Sequence, residues 1–104
     1  MSGMQSTGNA PHVVGNWQGN WQGKGAEMIA LYPNSTFEKF FTAQPGNVVS
    51  GTYTFSNGTL VLTSVRLGTE QIQLMPVSDT EMNATYNQGP TFPHGATARW
   101  FRRF

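Results

Sequence analysis

The sequence predicts an all-β protein, an up-and-down antiparallel meander of about eight strands closed into a small barrel. Three observations carry this. Val, Thr, Tyr, Phe and Trp recur in short runs of alternating polarity, and no window keeps apolar residues at i, i+3, i+4 and i+7 for long. Turn-forming residues separate the runs so closely that parallel crossovers have no room, and neighbouring strands must pair antiparallel. Each run has one apolar face, which calls for a sandwich or closure, and closing a long meander on itself also removes its exposed edges.

Residues 1–12 contain Gly3, Ser6, Thr7, Gly8, Asn9 and Pro11 with little to bury, and read as a disordered leader before a single barrel domain over residues 13–104. The strands are expected at about 13–23, 26–32, 36–42, 48–55, 59–65, 69–75, 80–87 and 96–103. Pro33-Asn34-Ser35, Gln44-Pro45-Gly46-Asn47, Ser56-Asn57-Gly58, Leu67-Gly68 and Pro76-Val77-Ser78-Asp79 supply turns. Asn57-Gly58 is the strongest of these, because both residues tolerate the positive φ of a tight hairpin. Alternation places Val49, Gly51, Tyr53 and Phe55 on the inner face of their strand and Val48, Ser50, Thr52 and Thr54 outside. Leu60 and Leu62, Ile72 and Leu74, then Met82, Ala84 and Tyr86 continue the inward stripe. Residues 87–95, with Pro90 and Pro93, form a loop.

The chain has 104 residues, 38% hydrophobic and 11% charged, enough for one core. Its formal net charge of +1 provides no field to attract nucleic acid. With no Cys, disulfides, thiolate catalysis and Cys-containing metal sites are excluded. No run reaches the roughly 20 apolar residues of a membrane-spanning helix, so no stable membrane insertion is expected. A composition rich in Gly, Asn, Thr, Ser and Gln but poor in Lys and Glu fits an exported β protein, so a periplasmic or extracellular location is expected, and a monomer.

Gly15-Asn16-Trp17 in the first strand resembles the Gly-X-Trp signature of lipocalins, and Gly19-Asn20-Trp21 repeats it. Ser50-Gly51-Thr52-Tyr53-Thr54-Phe55 followed by Asn57-Gly58-Thr59-Leu60-Val61-Leu62-Thr63 is similar to a hairpin of small bacterial lipocalin-like, calycin-type domains. The resemblance spans residues 13–103. It implies a last-strand arginine, Arg99 or Arg102, packed over the Trp17 or Trp21 indole to close the barrel. Lipocalins also carry a helix after the barrel, and nothing here can form one. The resemblance thus favours a small variant of the barrel over the ligand-carrying function of the larger proteins.

Trp17 and Trp21, four residues apart, share a strand face at a separation of roughly 13 Å. With Phe37, Tyr53 and Tyr86 they are the candidate lining of an internal ligand site. Equally, with Phe41, Phe55 and Trp100, they are bulk enough to fill the interior, the glycines making room for them. Arg99-Trp100-Phe101-Arg102-Arg103-Phe104 reads either as a cationic amphipathic peptide or as the closing strand. His12 and His94 have no metal-ligand spacing to each other or to Glu27, Glu38 or Asp79, so neither a metal nor another cofactor is expected. No Gly-X-Ser-X-Gly elbow or suggestive carboxylate pairing points to catalysis. Asn34, Asn57 and Asn83 head glycosylation sequons, which matter only in a eukaryotic secretory source. The reading is a non-enzymatic binding or interaction module. Its alternatives are a carrier of a small hydrophobic or aromatic ligand, and an inhibitor of an enzyme that binds through loops 43–47 and 87–95.

Overall fold

The computed structural model describes residues 13–21, 23 and 25–103. The leader expected over residues 1–12 lies outside them. The strands are β1 (Gly15–Trp21), β2 (Gly25–Leu31), β3 (Thr36–Phe41), β4 (Val49–Ser56), β5 (Thr59–Ser64), β6 (Gly68–Ser78), β7 (Glu81–Gln88) and β8 (Ala96–Arg103). Each pairs antiparallel with the next, and β8 returns to β1, so the barrel is closed. The C-terminal aromatic and basic segment is that closing strand, paired to β7 on one side and β1 on the other.

Register follows the expected alternation. Tyr53, Leu60, Leu62, Ile72, Leu74, Met82, Ala84 and Tyr86 are buried, while Thr52, Gln73 and Asn83 are exposed. The β4–β5 hairpin turns on Asn57 (φ 51°) and Gly58 (φ 78°), the paired positive φ values of a type I′ turn. The β2–β3 turn is tied by Asn34, whose Oδ1 accepts from the Thr36 amide and hydroxyl at 3.2 and 2.6 Å.

One turn differs from the sequence expectation. Residues 76–78 belong to β6, and the turn is shorter. A register shift between Pro76 and Ser78 accommodates a residue that has no amide to offer the ladder.

Of the seven connections, three lie at one end of the barrel and four at the other, and the ends differ chemically. At the closed end Val13 is fully buried, and its carbonyl accepts the Trp17 indole N–H at 2.8 Å. Trp17 packs against Trp100, with ring centroids 6.3 Å apart. The Trp100 indole occupies the space that Gly19 leaves, since a Cβ there would stand 2.8 Å from Nε1. Phe37 and the Thr63 carbonyl crowd Gly51 in the same way. These glycines therefore admit neighbouring groups and do not clear a cavity around the rings.

Candidate functional site

The closed end is sealed by an arginine. Arg102 lies with its guanidinium carbon 4.3 Å from the Trp17 ring centroid, and it donates to Val14 O at 2.8 Å and Asp79 O at 3.1 Å. Arg99 does not share this role. On the outward-facing parity of β8, its side chain is 58% exposed and pairs with Glu81.

The opposite end, where β1 leads into β2 and residues 42–48, 65–67 and 89–95 connect the strands, holds the unusual chemistry. Alternation on β2 turns Glu27 inward with Ile29 and Leu31. On β3 it turns Lys39 inward with Phe37, and on β6 Glu70 with Ile72 and Leu74. All three charged side chains are no more than 3% exposed. The Lys39 ammonium stands 3.3 Å from Glu27 Oε2 and 2.8 Å from Glu70 Oε1, so one cation bridges two carboxylates. Neither Lys39 Nζ nor Glu70 Oε1 has a hydrogen-bond partner beyond this ionic contact.

Aromatic and hydroxyl groups complete the cluster. The Trp21 indole donates to Glu27 Oε1 at 2.9 Å, and the Tyr86 and Thr91 hydroxyls both donate to Glu70 Oε2. Burial pushes the Glu27 carboxyl above its ordinary range, against the opposing pull of Lys39 and the Trp21 hydrogen bond. The Tyr86 hydroxyl is pushed up to about 12, by burial first and then by its hydrogen bond to Glu70. Its proton therefore stays in place at neutral pH.

Loop 89–95 caps the cluster. Phe92 is 4% exposed although it comes from a loop. Its ring stacks on Trp21 at 4.3 Å and 26°, and it meets Tyr86 and Phe41 edge-on at 5.1 and 5.7 Å. Gly89, at φ 135°, lets the chain pass over Tyr86, because a Cβ there would collide with the phenol oxygen. The Tyr86 carbonyl then accepts from the Gly95 amide at 2.6 Å, closing the loop on itself. Outside this cap, a groove of about 430 Å³ runs between Gly25, Phe41, Gln44 and Thr91.

No family model, curated protein or solved structure matches the chain in comparisons with each. Function is therefore argued from the site itself.

The five residues singled out as pocket lining divide between two places. Trp21 and Tyr86 belong to the open-end cluster. Trp17 lies under Arg102 at the closed end. Phe37 and Tyr53 are buried in the same continuous core, with the Tyr53 hydroxyl donating to Tyr32 O at 2.8 Å. Sequence reasoning saw no paired carboxylates, whereas Glu27 and Glu70, 43 residues apart in number, meet through Lys39. The available signal was parity, since each occupies an inward position in a strand whose neighbouring inward residues are apolar. Glu38, by contrast, faces outward and accepts from the Tyr32 hydroxyl at 2.7 Å. Among the described residues no three His, Cys, Asp or Glu side chains converge as a metal site.

Proposed function

We propose that the chain is a non-enzymatic binding module, a small lipocalin-like barrel that takes a compact ligand at its open end beneath loop 89–95. The observation that carries this reading is the Phe92 cap over the Glu27–Lys39–Glu70 cluster. Burying three charges costs several kcal/mol per ion in desolvation, and a well-packed apolar set of equal volume is often as stable or more so. A cluster held at one end, under a loop-borne ring, is thus better explained by recognition than by folding. The Gly-X-Trp strand and the arginine over Trp17 support the lipocalin-like comparison. The interior groups are paired with one another, the Tyr86 and Thr91 hydroxyls both being engaged by Glu70 and the Trp21 indole by Glu27. The dense packing of Phe37, Tyr53 and the closed-end tryptophans argues against a long-chain lipid, which needs a deep lumen.

A chemical-shift survey of the ¹⁵N-labelled protein against a set of small neutral, cationic and anionic compounds tests the proposal. Perturbations concentrated at residues 25–27, 39–44 and 86–92 are expected. Hits confined to the outer face, or none in the whole set, would remove the open end as the binding site and favour recognition of another protein through exposed loops.

A further inference from the structure

Phe92 occupies a slot built for a flat ring. Trp21 supplies a face at 4.3 Å, and Phe41 and Tyr86 supply edges. The three walls belong to strands, while the occupant is delivered by a loop, so the occupant is the exchangeable member. The walls are also wired to the charges. Trp21 donates to Glu27, Tyr86 to Glu70, and Thr91, next to Phe92 in the chain, to the same Glu70 oxygen.

The charge inventory is unequal, with two carboxylates facing one ammonium. Glu70 Oε1, fully buried, meets the Lys39 ammonium at 2.8 Å and has no other hydrogen-bond partner among the described residues. When loop 89–95 lifts away, Glu70 Oε2 also loses the Thr91 hydroxyl. The opened slot then presents an aromatic wall beside a carboxylate that has given up one of its donors. An ammonium group has three N–H donors and a full positive charge, and aromatic faces attract cations.

Resting on the open-end binding reading, we infer that the ligand is a compact aromatic amine. Its ring takes the place of Phe92 between Trp21, Phe41 and Tyr86, and its ammonium group joins Glu70 and Glu27. The protein's own Phe92 and Thr91 act as an internal stand-in, one for the ring and one for the donor. The groove beside Phe41 and Thr91 is the route by which the amine reaches the slot.

Isothermal titration calorimetry with phenethylamine, 2-phenylethanol and 3-phenylpropionate separates shape from charge. The full chain, Phe92→Ala and Phe92→Ala/Glu70→Gln are compared, with near-UV circular dichroism checking the fold and Phe92→Leu replacing Phe92→Ala should that variant not fold. Phenethylamine should bind Phe92→Ala at least tenfold more tightly than the unsubstituted chain and at least tenfold more tightly than phenylethanol. Adding Glu70→Gln should cut that preference to less than about threefold. Equal binding of amine and alcohol by Phe92→Ala would overturn the cationic ligand while leaving the open-end slot standing. Preference for the carboxylate would overturn it as well. If no probe binds a folded Phe92 variant, the inference fails together with the open-end reading on which it rests.

Discussion

Replacing Lys39 by Met tests whether the interior cluster is held together by charge. The ammonium contacts Glu27 at 3.3 Å and Glu70 at 2.8 Å with almost no water at either contact. At an effective dielectric of about 20, each such contact is worth roughly 5 kcal/mol before desolvation is counted. Desolvation of Lys39 consumes several kcal/mol of this, so the net loss on removing one partner of a buried pair is about 3–5 kcal/mol. Glu27 and Glu70 are then left facing each other without a counter-charge, and protonation of Glu27, whose carboxyl burial already pushes upward, relieves the repulsion. Urea unfolding followed by tryptophan fluorescence should therefore show a midpoint lowered by about 2–3 M at pH 8, for an m-value of about 1.5 kcal/mol/M, and by much less at pH 5. The triple variant Glu27→Gln/Lys39→Met/Glu70→Gln keeps acceptors for Trp21, Tyr86 and Thr91 and carries no buried charge. It should recover at least half of the loss at pH 8. A Lys39→Met midpoint equal to that of the unsubstituted protein, or a triple variant less stable than the single one, would refute this account.

Arg102→Met should cost about 2–4 kcal/mol in chemical denaturation, from a cation–aromatic contact and two charged hydrogen bonds, whereas Arg99→Met should cost about 1 kcal/mol or less because its pair with Glu81 is solvated. Tyr53→Ala should destabilise by about 3–5 kcal/mol and the outward Thr52→Ala by about 1 kcal/mol or less; the reverse order would mean a register shifted by one residue. Glu27 binds its proton more tightly folded than unfolded, so the stability linked to it is fully present below its unfolded value of 4.5 and is lost as pH rises through its higher folded value. Relative to Glu27→Gln, the protein should therefore gain stability on acidification across that window in paired urea titrations, and a gain on alkalinisation would contradict the burial of this carboxyl.

The barrel was legible because its signals are local and redundant. Asn57-Gly58 fixes one hairpin, short links exclude crossovers, and alternation in β4 through β7 names the inner residues one by one. The turn placed at Pro76 was misread because a proline usually ends a strand, and only a register shift, a property of the pair β6–β7, admits it. The charge cluster was hidden for a different reason. Glu27, Lys39 and Glu70 are residues that rarely face a core, so an apolar stripe drawn through their strands passes over them. Their convergence depends on closure, which brings β2 and β3 opposite β6, and no spacing in the chain encodes it. The burial of Phe92 likewise comes from a loop folding back over an end whose composition is known only once the strands are assembled.

In the proposed function the ligand is taken at one end of this barrel while the arginine–tryptophan seal lies at the other, and that separation makes the two independently adjustable. The closed end is held by Val13, Trp17, Trp100 and Arg102, none of which touches Glu27, Lys39, Glu70 or Phe92 through any hydrogen bond or ring contact identified among the described residues. Substitutions that share no partner and lie far apart act nearly additively. Arg102→Met should then lower the unfolding midpoint while leaving the amine-over-alcohol preference of Phe92→Ala intact. Glu70→Gln should abolish that preference, because the attraction for a cationic ligand goes with the charge, while Tyr86 and Thr91 keep an acceptor and Lys39 keeps Glu27. Measuring both quantities on both variants in the Phe92→Ala background gives a two-by-two comparison. If the two substitutions move stability and preference in parallel, the open-end charges belong to the folding core alone, and a function must be sought on the outer surface of the barrel.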